Sequence, residues 1–307
     1  MKVSTHSGAD GPGTGGSWPF EDAPLRRFQQ ALLDWYGSRA RPLRIRRTRD
    51  AWAVLVSEVM AQQTQIARVD EAWACFMERY PTPRSLARAS TADVLRAWAG
   101  LGYNRRARNL QLAAVAIVAD HAGRVPRTIP DLEALPGVGP YTARAVAAIA
   151  FGRPVAAVDT NVTRVVTRVS GSTLPPRALQ EAADALVDHA DPARWTYASM
   201  ELGATVCTAR RPRCPDCPVA AWCASAGMVV IPERRTRPTE PAFEASSRWL
   251  RGRIIAYLRA LDGQEWGSLP TSIGVHGADD IEAAVAALQR EGLLERGPDG
   301  VVRLPSG

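Results

Sequence analysis

Four of the five cysteines of this 307-residue chain lie in CTARRPRCPDCPVAAWC, residues 207–223, spaced C-x6-C-x2-C-x5-C. With no secretion signal in the sequence, Cys207, Cys214, Cys217 and Cys223 read as one metal centre and not as a disulfide framework. The spacing admits tetrahedral zinc or an iron–sulfur cluster, since both accept four thiolates. Glu58 is the single charge in AWAVLVSEVMAQQTQIA, residues 51–67. A helix apolar nearly all round is buried, and a carboxyl inside it is costly unless it is paired or put to use. Burial would raise its pKa towards that of a general acid near neutral pH; a structural pair with a buried arginine is the alternative. In AVDTNVTRV, residues 157–165, Asp159 stands just before an apolar-periodic helix, where it also suits a plain N-cap. Two carboxylates on separate elements are what cleavage of a glycosidic bond needs: one protonates the leaving group, the other stabilises positive charge on the sugar.

The elements that position these groups are helical. Periodic segments run near 22–37, 51–63, 65–79, 91–98, 104–122, 140–151, 160–169, 176–189 and 193–205, without a strand-like alternation, so the body is expected to be all-α. LPGVGPYTA, residues 135–143, joins a short helix ending near Ala134 to a longer one beginning near Pro140. Gly137 and Gly139 let the chain turn tightly around Val138 and leave N–H groups open at a helix N-terminus, a seat for a phosphate oxygen; an ordinary corner between helices is the bland alternative. The expected domains are a flexible leader (1–18), a helical body (19–229), a Pro/Arg-rich linker (230–245) and a module (246–307) of two helices and a hairpin, winged-helix-like. Cys75, in WACFM, is expected to be a buried core thiol.

Composition narrows the chemistry. The formal net charge is +7 and the pI about 9.6, and the excess belongs to the first 240 residues: residues 241–307 carry seven Arg against nine acidic residues. A polyanionic partner suits that body better than it suits the module. Lys2 is the only lysine, so no internal amine is available as a Schiff-base nucleophile. The histidines are scattered, and there is no phosphate-loop or zinc-deaminase pattern. No apolar run approaches membrane-spanning length.

SEVMAQQTQI, GLGYNRRARNL, LPGVGPYTA, VDTNV and the four-cysteine loop occur in an order and spacing that resembles the MutY-type adenine DNA glycosylases of the helix-hairpin-helix superfamily, over roughly residues 22–225. The resemblance implies two helical subdomains, a four-iron, four-sulfur cluster on the four cysteines, and a cluster loop that meets DNA phosphates through Arg210, Arg211 and Arg213. It implies that Glu58 protonates the base, Asp159 stabilises the oxocarbenium-like sugar, Tyr141 assists at the sugar and Asn161 positions the reacting groups. Gln63 and Tyr103 resemble residues that enter the base stack when the target flips out. The implied partner is double-stranded DNA with a mispaired or damaged base, met by a monomer in the cytoplasm at the nucleoid.

The chain departs from the family at its base pocket: Ile45 stands where tryptophan is usual, with Arg46 retained, and Tyr197 where Gln or Glu is frequent. The 67 residues from Pro241 on are too few for the Nudix-like domain of longer members. These departures keep open a glycosylase for another base, such as hypoxanthine or a mismatched thymine; a non-catalytic iron–sulfur DNA-binding regulator is a further alternative. Tyr141 occupies the position at which endonuclease III-type relatives, which also cut the strand, carry lysine. The expected reaction therefore stops at an intact abasic site, and borohydride should trap no efficient covalent DNA adduct once the first 18 residues are removed. An adduct that survives this truncation would overturn the monofunctional reading.

Overall fold

The computed structural model describes residues 21–229, 242–261 and 265–306. The leader expected over 1–18 and most of the expected linker lie outside the described residues. The helices are α1 (Asp22–Arg39), α2 (Ala51–Ala61), α3 (Ile66–Arg79), α4 (Pro83–Ala87), α5 (Thr91–Ala97), α6 (Arg105–Asp120), α7 (Ile129–Glu133), α8 (Pro140–Phe151), α9 (Thr160–Ser170), α10 (Pro176–Ala185), α11 (Pro192–Thr205), α12 (Ser247–Ala260) and α13 (Ala278–Arg290). Two short strands, β1 (Glu295–Arg296) and β2 (Val302–Arg303), and five short 3-10 turns complete the described elements. The chain forms two compact units: residues 41–153 with 242–306, and residues 21–40 with 154–229.

In the larger unit α2 is the central helix. Asp50 caps it, accepting from the Ala53 amide at 2.8 Å, and every residue from Trp52 to Met60 is buried, as the all-round apolar pattern requires. It packs on α8, whose Ala143, Ala145, Ala147 and Ala148 are completely inaccessible; small side chains there let the two backbones approach. Three indoles of this unit are satisfied: the N–H of Trp52 donates to Tyr80 O, that of Trp73 to Ala53 O and that of Trp98 to Gly102 O. Cys75 is exposed, which corrects the expectation of a core thiol. α3 is amphipathic and turns Val69 and Phe76 inward, and Cys75 falls outside that stripe.

The C-terminal module belongs to this unit. α12 packs on α13 through Leu250, Ile254, Val285 and Leu288, among others. β1 and β2 pair antiparallel, Glu295 opposite Arg303, and Gly267 bridges Val302 on the other side. The module is anchored to the helical body where the Ala92 amide donates to Pro305 O at 3.0 Å and Arg259 donates to Asn104 Oδ1 at 2.6 Å.

In the smaller unit α11 lies between α1 and α9, and α10 packs on α9. Gly203 allows this: a Cβ there would sit 2.7 Å from the Asn161 Cβ and 3.0 Å from its carbonyl oxygen. Gln29 on α1 donates to Val187 O at 3.0 Å, closing the unit on the segment after α10.

Because Leu55 is fully enclosed in the larger unit, Leu55→Ala should cost about 2–5 kcal/mol. The measurement is a lowered urea midpoint at an unchanged denaturant slope.

Candidate active site

Glu58 sits two turns into α2, 7% exposed. The Tyr141 hydroxyl, from the first turn of α8, donates to its Oε2 at 3.1 Å. The α2–α8 contact thus brings together the two residues expected to act on the base and at the sugar. The turn before α8 has the expected form: Gly137 is left-handed (φ +78°) and lies against Asn109, where a Cβ would come within 2.7 Å of the Asn109 Cβ. Val138 is buried while Gly137 and Gly139 are exposed. The first N–H groups of a helix have no acceptor within it, and Pro140 at its first position removes one that would otherwise need a partner. Gln62 donates to Gly137 O and to Thr142 Oγ1, each at 3.3 Å, binding this turn to the end of α2.

Gln63 and Tyr103 share an unusual backbone. Both are left-handed, at φ 55° and 46°, among only four such non-glycine residues in the described chain. That conformation is uncommon for residues with a Cβ and persists only where surrounding structure imposes it. The imposing group is Arg106, on the buried face of α6. Its Nη1 donates to the carbonyls of Val59, Met60 and Gln62 at 3.1, 2.7 and 2.6 Å. Its Nη2 donates to Thr64 Oγ1 at 2.9 Å and to the carbonyls of Leu101 and Gly102 at 3.2 and 3.3 Å. One guanidinium therefore fixes both loops. Burial lowers its pKa to about 10, opposed by Tyr103 and aided by Arg248, so it stays charged at neutral pH. Arg106 was missed in the sequence reading, although its signal was present: it shares a helical face with Leu110, Ala113 and Ile117, and a charge on that face needs a partner.

Ile45 is buried in a 3-10 turn, its amide donating to Asp70 Oδ1 at 3.0 Å; Arg46 follows it, half-buried. The remaining expected residues belong to the smaller unit. Asp159 caps α9: one carboxylate oxygen accepts from the amides of Asn161 and Val162 at 2.9 and 2.7 Å, and the other accepts from Asn161 Nδ2 at 2.8 Å. The N-cap and the orienting asparagine thus occur together. Arg164 extends the chain of contacts, donating to Asn161 Oδ1 at 2.8 Å, to Gly203 O at 2.6 Å and to Cys207 O at 2.7 Å. Tyr197 is buried in α11.

Cys207, Cys214, Cys217 and Cys223 line one small cavity together with Arg168. The donor set fits a tetrathiolate metal group, and Arg168 adds a cationic partner, its Nη1 lying 3.3 Å from the Cys207 Sγ. Burial first, and then the neighbouring cysteines, push the Cys217 thiol up to about 11 and raise Cys223; a bound metal group would supply the positive charge that favours thiolates. The loop is pinned to α9 by Arg168, which also donates to Thr208 O and Ala209 O, and to α1 by the edge contact of Trp222 with Phe28. Arg210 and Arg211 are exposed; Arg213 donates to Thr205 O and faces Asp216, so part of its capacity is used within the loop.

A buried acid beside a tyrosine, an open glycine hairpin and a four-cysteine loop define a class that the comparisons name. The model described as HhH-GPD superfamily base excision DNA repair protein matches residues 56–188, and that of the iron-sulfur binding domain of endonuclease III matches residues 207–223. A thermostable thymine-DNA glycosylase superposes with a TM-score of 0.64 at 28% identity, covering 68% of this chain and 99% of that one. Adenine DNA glycosylase of Mycobacterium tuberculosis H37Rv is 42% identical over 298 residues, 94% of this chain and 96% of the relative; that of Homo sapiens is 46% identical over 216 residues, 66% and 40% respectively. The chain belongs to the adenine DNA glycosylases of the HhH-GPD superfamily, with a four-iron, four-sulfur cluster in its 207–223 loop. The family is one of enzymes, which sets aside the reading as a non-catalytic regulator.

Arg106→Gln should lower the free energy of unfolding by at least about 2 kcal/mol, because an amide cannot meet the buried carbonyls. Limited proteolysis should then cut first near Gln63 or Tyr103; cleavage elsewhere would detach Arg106 from the ordering of these loops.

Proposed function

We propose that the protein removes adenine paired with guanine or 8-oxoguanine from duplex DNA by hydrolysing its N-glycosidic bond. The contact between the Tyr141 hydroxyl and the buried Glu58 carboxyl carries this reading. In an apolar helix Glu58 is suited to hold a proton and to deliver it. The proton passes to a ring nitrogen of the flipped adenine, and the C1′–N9 bond breaks with its electron pair leaving on the base. The Asp159 carboxylate, oriented by Asn161, stabilises the positive charge on the sugar; water adds at C1′, and the proton it releases restores the Glu58 acid. Cys207, Cys214, Cys217 and Cys223 would hold the cluster through their thiolates, and its irons would tie together the loop carrying Arg210, Arg211 and Arg213.

The exposed Gly137–Gly139 turn and these arginines suit backbone phosphates, and the left-handed Gln63 and Tyr103 suit insertion where a base has left the stack. Family membership and the retained Glu58 favour a purine substrate. The isoleucine and tyrosine at positions 45 and 197 support a second reading, in which the pocket also accepts a related purine such as hypoxanthine.

Glu58→Gln keeps the shape without the proton and should slow single-turnover base release by on the order of 10²–10⁴ while DNA affinity holds. Asp159→Asn should be similarly impaired, since a neutral amide stabilises the developing cation poorly. Excision is measured across duplexes with adenine, hypoxanthine or thymine opposite guanine or 8-oxoguanine, with alkali revealing abasic sites. Near-normal rates in both variants would refute the two-carboxylate mechanism; release of another base with no adenine release would refute the substrate.

A further inference from the structure

The C-terminal module has one more acidic residue than arginines, yet its charge is unevenly placed. A cleft of about 610 Å³ in the larger unit is walled on one side by the loops carrying Gln63 and Tyr103 and on the other by the start of α12. Five arginines line it, at positions 105, 106, 248, 251 and 253, against one carboxylate, Glu291. Two of the five are committed: Arg106 to the carbonyls beneath the loops, and Arg251 to Glu291. Arg105, Arg248 and Arg253 remain exposed on the rim. The module's other described carboxylates, such as Asp279, Asp280 and Glu295, do not line the cleft.

Aromatic faces interleave with these charges. The Arg248 guanidinium lies 3.9 Å from the Tyr103 ring centre and 5.4 Å from that of Phe243, which is 58% exposed; Arg253 lies 5.9 Å from the Trp249 ring centre. Cationic groups beside aromatic rings, with Phe243 exposed, in a cleft of this size, match the chemistry of an unpaired nucleotide and its phosphates better than that of a neutral ligand or an apolar peptide. Arg248 also joins the module to the Tyr103 tip, so the cleft is continuous with the element proposed to enter the base stack.

We propose that this cleft holds the DNA strand opposite the flipped nucleotide, with Arg248 and Arg253 on the phosphates flanking the orphan base and the Tyr103–Phe243 side against the base itself. The inference rests on the reading of Gln63 and Tyr103 as the residues that fill the gap left by flipping. It gives the module a part in gripping the orphan strand that its net charge conceals.

The test uses the full-length protein and a duplex with a tetrahydrofuran abasic analogue opposite guanine, which contains no base to excise and so reports binding whatever base the enzyme removes. Replacing both residues, Arg248→Ala with Arg253→Ala, should reduce the slope of log affinity against log salt by roughly 2 in magnitude. Ethylation of phosphates flanking the orphan guanine should block wild-type binding and have no further effect on the double variant, while interference on the other strand is unchanged. If the alanine pair no longer shows a cooperative melt, Arg248→Gln with Arg253→Gln takes its place, keeping side-chain length without charge. A wild-type slope and interference pattern in the variant overturns the proposal, as does equal loss of interference on both strands. Failure of adenine release in the wild-type protein, with this binding pattern intact, would instead count against the substrate reading alone.

Discussion

The buried guanidinium of Arg106 is the constraint on which the working surface of the larger unit depends. Six acceptors surround it, drawn from the end of α2, the loop after it and the loop before α6. Burying a cation is unfavourable unless it is hydrogen-bonded; the Nε of Arg106 has no partner, but both terminal nitrogens are met by these two loops, which favours conformations that keep their carbonyls aimed at it. Left-handed backbone at Gln63 and Tyr103 is the local consequence. The same α2 that offers its last carbonyls to Arg106 holds Glu58 against Tyr141, so Glu58 and the two loop tips share one rigid support.

The smaller unit has a counterpart in Arg164. It links Asn161, and through it the Asp159 carboxylate, to the carbonyls of Gly203 and Cys207, and Arg168 one turn on reaches the cluster loop. The orientation of the carboxylate and the anchorage of the metal loop are thereby two ends of one hydrogen-bonded network on α9. In both units arginine rather than lysine suits the task, because its planar fork serves several carbonyls at once.

Much of this was legible in the sequence for physical reasons. Periodicity located every long helix, and an all-apolar α2 with one carboxylate announced a buried Glu58. The glycines at 137 and 139 marked the turn, since one is left-handed against Asn109. Asp159 was read as either cap or reactant, and it is a cap whose second oxygen is held by Asn161. What could not be read was which arginines are structural: Arg106, Arg164 and Arg168 look in sequence like the other basic residues, and their acceptors are backbone carbonyls that carry no signature. Cys75 went wrong because a small apolar residue inside WACFM is consistent with either side of α3. The uneven charge of the module was invisible for a related reason: net charge sums over a surface whose faces only tertiary packing separates.

The left-handed tips bear on how quickly such a protein can survey a genome. Loops that order only on meeting DNA must lose conformational entropy afresh at each position sampled, and that loss slows every encounter. Here the two tips are held in shape by a charge already buried within the fold. On the proposed reading, the time spent at each undamaged base pair is then set by how readily the duplex itself opens. Weakly stacked or mispaired steps would yield first, so the same rigidity that shapes the tips would also bias the search towards its targets before any base is recognised.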